Sequence, residues 1–153
     1  AKAICVIANG GFEVKPTLLL KEVLLPKEKE LLYSERAIKE IKNIINTGNR
    51  YSVKGFDTFG KTGTARCLKD GEYQSDIHNF TFVGFVEKDN YSRAIVTFVE
   101  EPPPNENLYA SQITAPLFSR IGSLVAQHDI VYRRRLDEDP EPDRLGLVGP
   151  EES

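Results

Sequence analysis

Two stretches near the middle of the chain restrict its fold more than anything else in the sequence. Phe80-Thr81-Phe82-Val83-Gly84-Phe85-Val86 and Ala94-Ile95-Val96-Thr97-Phe98-Val99 are largely apolar at both alternating sets of positions. Side chains on a strand alternate between faces, so a strand of this kind is buried on both sides. Glu87-Lys88-Asp89-Asn90 lies between them and reads as a hairpin turn, which makes the pair antiparallel. Helices are then needed over both faces of the sheet. One cover is at hand. Ile113, Leu117, Ile121 and Leu124 or Val125 fall on one face of a helix predicted over about 109–127, with Pro116 tolerable only in its first turns.

The rest of the chain supplies further elements. Residues 1–9 read as the last turns of a helix, with Ile4, Ile7 and Ala8 on one side and Gly10-Gly11 as the stop. Residues 12–25 read as a strand or strand pair broken at Pro16 and closed by Pro26. Ser34 is the expected N-cap of a helix to about Asn46, with Ile38, Ile41 and Ile45 at helical spacing and Gly48 ending it. Three extended segments are expected at about 58–66, 79–87 and 93–100. The predicted fold class is α+β, an antiparallel sheet covered by helices.

Composition removes several function classes. The net charge of −3 and pI near 5.5 do not suit a protein that coats nucleic acid. Eight acids against four arginines lie in residues 129–153, so that segment carries −4 and residues 1–128 carry +1. With its Pro-rich run and little apolar periodicity, 129–153 is expected to be an acidic, solvated C-terminal tail, and 1–128 the folded portion. The Arg133-Arg134-Arg135 triplet, followed directly by acids, reads as part of that solvated run. Two cysteines are too few for a disulfide scaffold or a four-ligand zinc site. Cys5 and Cys67 are expected to be partly buried, and His78 and Asp57 to be turn residues. No carboxylate, cysteine or second histidine lies at metal-ligand spacing from His78. No apolar run approaches the ~18 residues of a membrane span.

The segment Gly55-Phe-Asp-Thr-Phe-Gly60-Lys61-Thr62-Gly63-Thr64-Ala65 carries the chemistry, and it fits two patterns. As G-x-x-x-x-G-K-[ST], Gly55 to Thr62 matches a P-loop, which needs a hydrophobic strand before it and a helix after it. Neither is expected here, because Asn49 to Lys54 makes a poor buried strand and a β-type segment follows. The other pattern is the K-T-G strand. On an extended chain Lys61 and Gly63 point to one face and Thr62 and Thr64 to the other. A lysine there offers a fixed positive charge to a substrate carboxylate or an active-site hydroxyl. Gly63 leaves room for a substrate backbone lying along the strand, and the N–H of Thr64 could face a developing oxyanion.

The K-T-G segment is one of an ordered series. Ile7-Ala8-Asn9-Gly10-Gly11 and Lys15-Pro16-Thr17-Leu18-Leu19 precede Gly60 to Ala65, and Phe82-Val83-Gly84-Phe85-Val86 follows. Val96 to Pro102 and Ala115-Pro116-Leu117-Phe118 complete it. With these pieces the chain resembles, over about residues 1–122, the C-terminal half of the transpeptidase domain of class B penicillin-binding proteins. The resemblance implies the fold of the serine β-lactamases, with the K-T-G strand as an edge of the catalytic cleft. It implies acyl transfer on D-Ala-D-Ala stem peptides of peptidoglycan, acylation by β-lactams, and no cofactor, metal or nucleic acid. Lys61 would orient the substrate carboxylate and the serine of the family's S-x-N motif. Thr62 and Thr64 would give hydroxyl contacts, Gly63 would leave the substrate room, and Thr64 would add an oxyanion N–H.

The family's other two motifs are absent. Three positions after the chain's serines stand Ala37, Gly55, His78, Ile95, Thr114, Gly122 and Ala126, with Ser153 terminal, so none begins S-x-x-K. Two positions after them stand Arg36, Lys54, Ile77, Ala94, Ile113, Ile121 and Val125, so none begins S-x-N. The expectation is a chain that starts after both motifs, inactive alone, whose partner is the N-terminal half of the same domain. The family also implies an extracytoplasmic location, with any membrane anchor upstream. Two other functions remain open: a non-catalytic sensor module that binds penicillin or peptide, and a P-loop nucleotide binder.

Overall fold

The structure, a computed structural model, describes residues 1–16, 30–102 and 108–138, the last seven of them as backbone only. Three helices and three strands follow in order: α1 (Lys2–Ala8), α2 (Glu35–Ile45), β1 (Asp57–Lys69), β2 (Glu72–Lys88), β3 (Tyr91–Val99) and α3 (Ala110–Glu138). By contact, Ala1–Ser123 forms one compact unit and Leu124–Ser153 another.

The helix ends follow local chemistry. After α1, Gly10 N–H reaches the Ile7 carbonyl and Gly11 N–H the Val6 carbonyl, with both glycines at positive φ. That is the Schellman arrangement expected of a Gly-Gly stop. Ser34 caps α2 by accepting from the N–H of Ala37 at 3.3 Å. Gln112 accepts the N–H of Tyr109 at the start of α3, the side-chain half of a capping box.

The sheet is antiparallel in the order β1-β2-β3. Its strands are longer than expected. β1 and β2 meet at the two-residue turn Asp70-Gly71, with φ of 52° and 84°, where the sequence reading leaves residues 67–78 unassigned. Asp-Gly suits this turn because both central residues take positive φ. The ladder breaks between Arg66, opposite His78, and Leu68, opposite Tyr73. His78 is therefore a strand residue stacked with Phe80, and Asp57 opens β1 opposite Glu87. Both depart from the expected turn positions, because pairing with β2 extends β1 in both directions. Of the expected strand or strand pair at 12–25, only the bridge of Phe12 to Leu31 is seen; residues 17–29 lie outside the described residues.

Helices lie on both faces of the sheet. Ile4, Phe59 and Phe85 form a buried cluster with Cys5, Ile7, Ala8, Ile45 and Val83 against it, so α1 and α2 cover one face. On the other, Phe82 packs on Phe118 of α3 (centroids 4.6 Å apart), and Thr97 Oγ1 donates to the Thr114 carbonyl at 2.8 Å. The buried stripe of α3 differs from the expected one. Thr114, Ala115, Phe118 and Gly122 are buried; of the expected stripe Ile113, Ile121 and Val125 are half-buried, while Leu117 is 38% and Leu124 60% exposed. Small residues win because the helix lies close to the sheet. A Cβ on Gly122 would stand 3.5 Å from Ile95 Cδ1 and 3.6 Å from Val86 Cγ1 of the sheet, and 2.9 Å from Val53 Cγ2 in the loop before β1. The helix also runs on to Glu138, past the expected end near 127.

Candidate active-site strand

The candidate site is built on β1, an edge strand anchored at its N-terminal end. The Phe59 ring stacks on Phe85 with centroids 4.8 Å apart and 15° between planes. Lys42 of α2 lies over both rings at 5.5 and 5.4 Å, and its Nζ meets Glu87 Oε2 at 2.7 Å. Thr58 is buried, and its hydroxyl accepts from the N–H of Val53 at 3.1 Å.

Backbone direction then decides what the strand offers. The Thr58 carbonyl accepts from the N–H and the hydroxyl of Thr47, at 3.0 and 3.1 Å, and Thr47 lies on the side of β1 away from β2. Successive residues of a strand turn their N–H and C=O groups to opposite edges. Gly60, Thr62 and Thr64 therefore share the direction of Thr58, outward. Lys61, Gly63 and Ala65 turn theirs to β2, where they lie opposite Val83, Thr81 and Asn79. Asn46 and Thr47 cover the outer edge at Thr58 and Phe59. From Lys61 onward that edge has no strand beside it among the described residues.

The four predicted site residues stand together on this open edge. Lys61 is exposed, and its Nζ donates to the Thr62 carbonyl at 3.0 Å and to Thr62 Oγ1 at 3.4 Å. The ammonium has thus swung over the edge of the sheet. Thr62 is half-buried; Gly63 and Thr64 are exposed. Lys61 and Gly63 lie on the α1–α2 face, and Thr62 and Thr64 on the α3 face. The expected alternation holds. A Cβ on Gly60 would fall 2.3 Å from Phe82 Cε1, so the packing itself requires glycine there. A Cβ on Gly63 would meet only Thr81 Cβ at 3.7 Å, an ordinary contact. No helix follows Thr62, since β1 continues to Lys69, and the helix N-terminus a P-loop requires is not formed.

Residues 1–123 match the family described as the penicillin binding protein transpeptidase domain. The chain belongs to that family. It is 31% identical over 130 residues to the probable peptidoglycan D,D-transpeptidase PenA of Neisseria flavescens, covering 80% of this chain and 32% of that protein. It is 30% identical over 102 residues to the stage V sporulation protein D of Bacillus subtilis, covering 63% of this chain and 16% of that one. The chain thus spans a third or less of these relatives. Among solved structures, it is similar to penicillin-binding protein 3 of Mycobacterium tuberculosis with a TM-score of 0.63 and 24% identity, over 85% of this chain and 34% of that one. The transpeptidase domain of penicillin-binding protein 3 from Burkholderia pseudomallei matches with a TM-score of 0.59 and 20% identity, over 84% and 41%. These likenesses identify the fold of penicillin-binding transpeptidase domains, and the helix-covered antiparallel sheet agrees with it.

Beyond the predicted four, a polar cluster lies at the far end of β1. Cys67 is buried, and its Sγ–H donates to Asn79 Oδ1 at 3.1 Å. The same oxygen accepts the N–H of Glu101 at 3.0 Å, and the Glu101 carboxylate meets Lys69 Nζ at 2.9 Å. Burial, and then the negative charge of Glu101, pushes the Cys67 thiol up. The hydrogen bond and charge of Glu101 push Lys69 up as well. Nothing in residue type or spacing marks Asn79, because its partners come from the ends of two other strands.

Proposed function

We propose that this chain supplies the K-T-G wall of a serine D,D-transpeptidase site, acting on D-Ala-D-Ala stem peptides of peptidoglycan and acylated by β-lactams. The observation that carries the proposal is the open edge of β1, with the N–H and C=O groups of Thr62 and Thr64 turned outward beside the Lys61 ammonium. An extended peptide can add to such an edge as a further strand. Lys61 then holds the terminal carboxylate, and Thr62 gives a hydroxyl contact. The N–H of Thr64 donates to the oxygen that becomes negative as the carbonyl turns tetrahedral, a donor whose loss costs on the order of 10²–10³ in rate. Gly63 needs no glycine for packing, and its bare face leaves room for the substrate.

The relatives support this reading. PenA is named a probable peptidoglycan D,D-transpeptidase, and penicillin-binding protein 3 of M. tuberculosis has been solved in complex with aztreonam and with ampicillin. The chain has no S-x-x-K or S-x-N, so in this reading the nucleophile and its lysine are not supplied by these 153 residues. An extracytoplasmic location follows the same reading. No described helix is long and apolar enough to cross a membrane.

The test is acylation by a labelled penicillin. The chain alone is expected to form no covalent adduct. Joined behind a segment carrying S-x-x-K and S-x-N, it is expected to form one, which Lys61→Ala slows by at least about tenfold. A stoichiometric adduct on the isolated chain overturns the proposal. Reversible binding without acylation by the joined protein would favour the sensor-module function instead.

A further inference from the structure

The ladder between β1 and β2 breaks just beyond the K-T-G segment. Arg66 lies opposite His78 and Leu68 opposite Tyr73, so one residue of β1 faces four of β2 across the break. A register slip of one residue there would turn every outward backbone group of the preceding strand inward. Thr64 would then present its N–H to β2 and lose its place on the open edge.

One side chain spans the break. Asn79 lies opposite Ala65, the last step but one before the irregularity. Its Oδ1 accepts from the buried thiol of Cys67, the residue at the irregularity, and from the N–H of Glu101, just past the end of β3. Glu101 is itself held at a positive φ of 41° and pairs with Lys69 of β1. A single acceptor therefore ties the far ends of β1 and β3 together across β2. The high-lying Cys67 thiol stays protonated at neutral pH, which keeps it a donor.

We propose that Asn79 is a positioning residue for Thr64, holding the β1–β2 register at the break so that the Thr64 N–H keeps its outward direction. The proposal rests on the transpeptidase reading only for what Thr64 does. The clamp itself is a property of the strand.

Residue-resolved amide hydrogen exchange on this chain tests it, with two variants. Asn79→Leu keeps the volume and removes the acceptor; Asn79→Asp keeps an acceptor oxygen. In the Leu variant, exchange is expected to rise at least tenfold at Gly63, Ala65 and Glu101 and to stay unchanged at Val83 and Phe85. The Asp variant is expected to restore protection at Gly63 and Ala65 to within threefold of the parent. Faster exchange at Glu101 with Gly63 and Ala65 unchanged would overturn the proposal, since Asn79 would then serve only the local turn. So would a uniform rise through Val83 and Phe85, which would mark a general loss of stability, or failure of Asp to rescue. No substrate or nucleophile enters the measurement, so failure here and failure of the penicillin experiment are told apart.

Discussion

A Cβ at Gly60 would meet the Phe82 ring at 2.3 Å, whereas one at Gly63 would find Thr81 Cβ at 3.7 Å. The two glycines therefore answer to different demands. Gly60→Ala is expected to destabilise the fold by about 1–3 kcal/mol, because Phe82 is held between Phe118 and Tyr51 and has little room to give. Gly63→Ala is expected to change stability by less than about 1 kcal/mol, since the residue is exposed and the strand accepts alanine. Urea unfolding of the two variants measures both, and equal costs would break the distinction. Cys67 allows a second residue-scale prediction. Its folded pKa lies above the ordinary thiol value of 9.0, and that of Lys69 above 10.5. Both raised groups add stability that is full below those ordinary values and is lost as pH rises through the folded ones. The Cys67–Asn79–Glu101 corner should therefore hold at neutral pH and loosen above about pH 9. Iodoacetamide labelling read by mass spectrometry should modify half-buried Cys5 before buried Cys67 at pH 7, with Cys67 catching up only in alkali. Prior labelling of Cys67 at pH 7 would contradict the geometry.

Among the elements, α2 sets the anchored end of the site strand. Its Ser34 cap accepts one backbone N–H, and Ser34→Ala is expected to cost about 0.5–2 kcal/mol, against a few tenths for Ser34→Gly. Thermal unfolding separates the two. Lys42 joins α2 to β2 through Glu87 and places its ammonium over the Phe59 and Phe85 rings. The local helix signals were legible in the sequence: a serine before an apolar 3.6-residue period, a Gly-Gly stop and strands apolar on both faces. The Asp70-Gly71 turn was equally local, and it marks the β1–β2 hairpin that the expected segment ends at 66 and 79 left open. The buried stripe of α3 was only partly legible, since Ile113, Ile121 and Val125 of the expected face are half-buried. Apolar spacing pointed to Ile113, Leu117 and Ile121, but a helix pressed close to a sheet buries small residues, so Ala115 and Gly122 lie inward.

For the whole molecule, the sheet has a second edge with no strand beside it among the described residues. Among the described residues β3 pairs only with β2, and Val96 and Phe98 on it are 46% and 54% exposed. Leu117 of α3 and Ile44 of α2 add exposed apolar surface at 38% and 81%. A strand edge flanked by exposed apolar side chains is a template for further pairing. The isolated chain is expected to self-associate at micromolar concentration, and joining it to the S-x-x-K segment should suppress this. Sedimentation velocity checks it; a monomeric chain that unfolds cooperatively would count against an incomplete sheet.

From sequence by itself came the helices at 1–9 and after Ser34, the antiparallel strands, the Ser34 cap and Gly10-Gly11 stop, the alternation of Lys61 and Gly63 against Thr62 and Thr64, and the absence of S-x-x-K. Each depends on residues within one or two turns of a helix or steps of a strand, where period and capping chemistry act. Tertiary structure decided which edge of β1 is open, because the Thr47–Thr58 contact shows the outward side and β2 occupies the other. It also decided the buried stripe of α3 and the meeting of Cys67, Asn79 and Glu101. Those outcomes rest on partners far apart in the chain, and no local period records them.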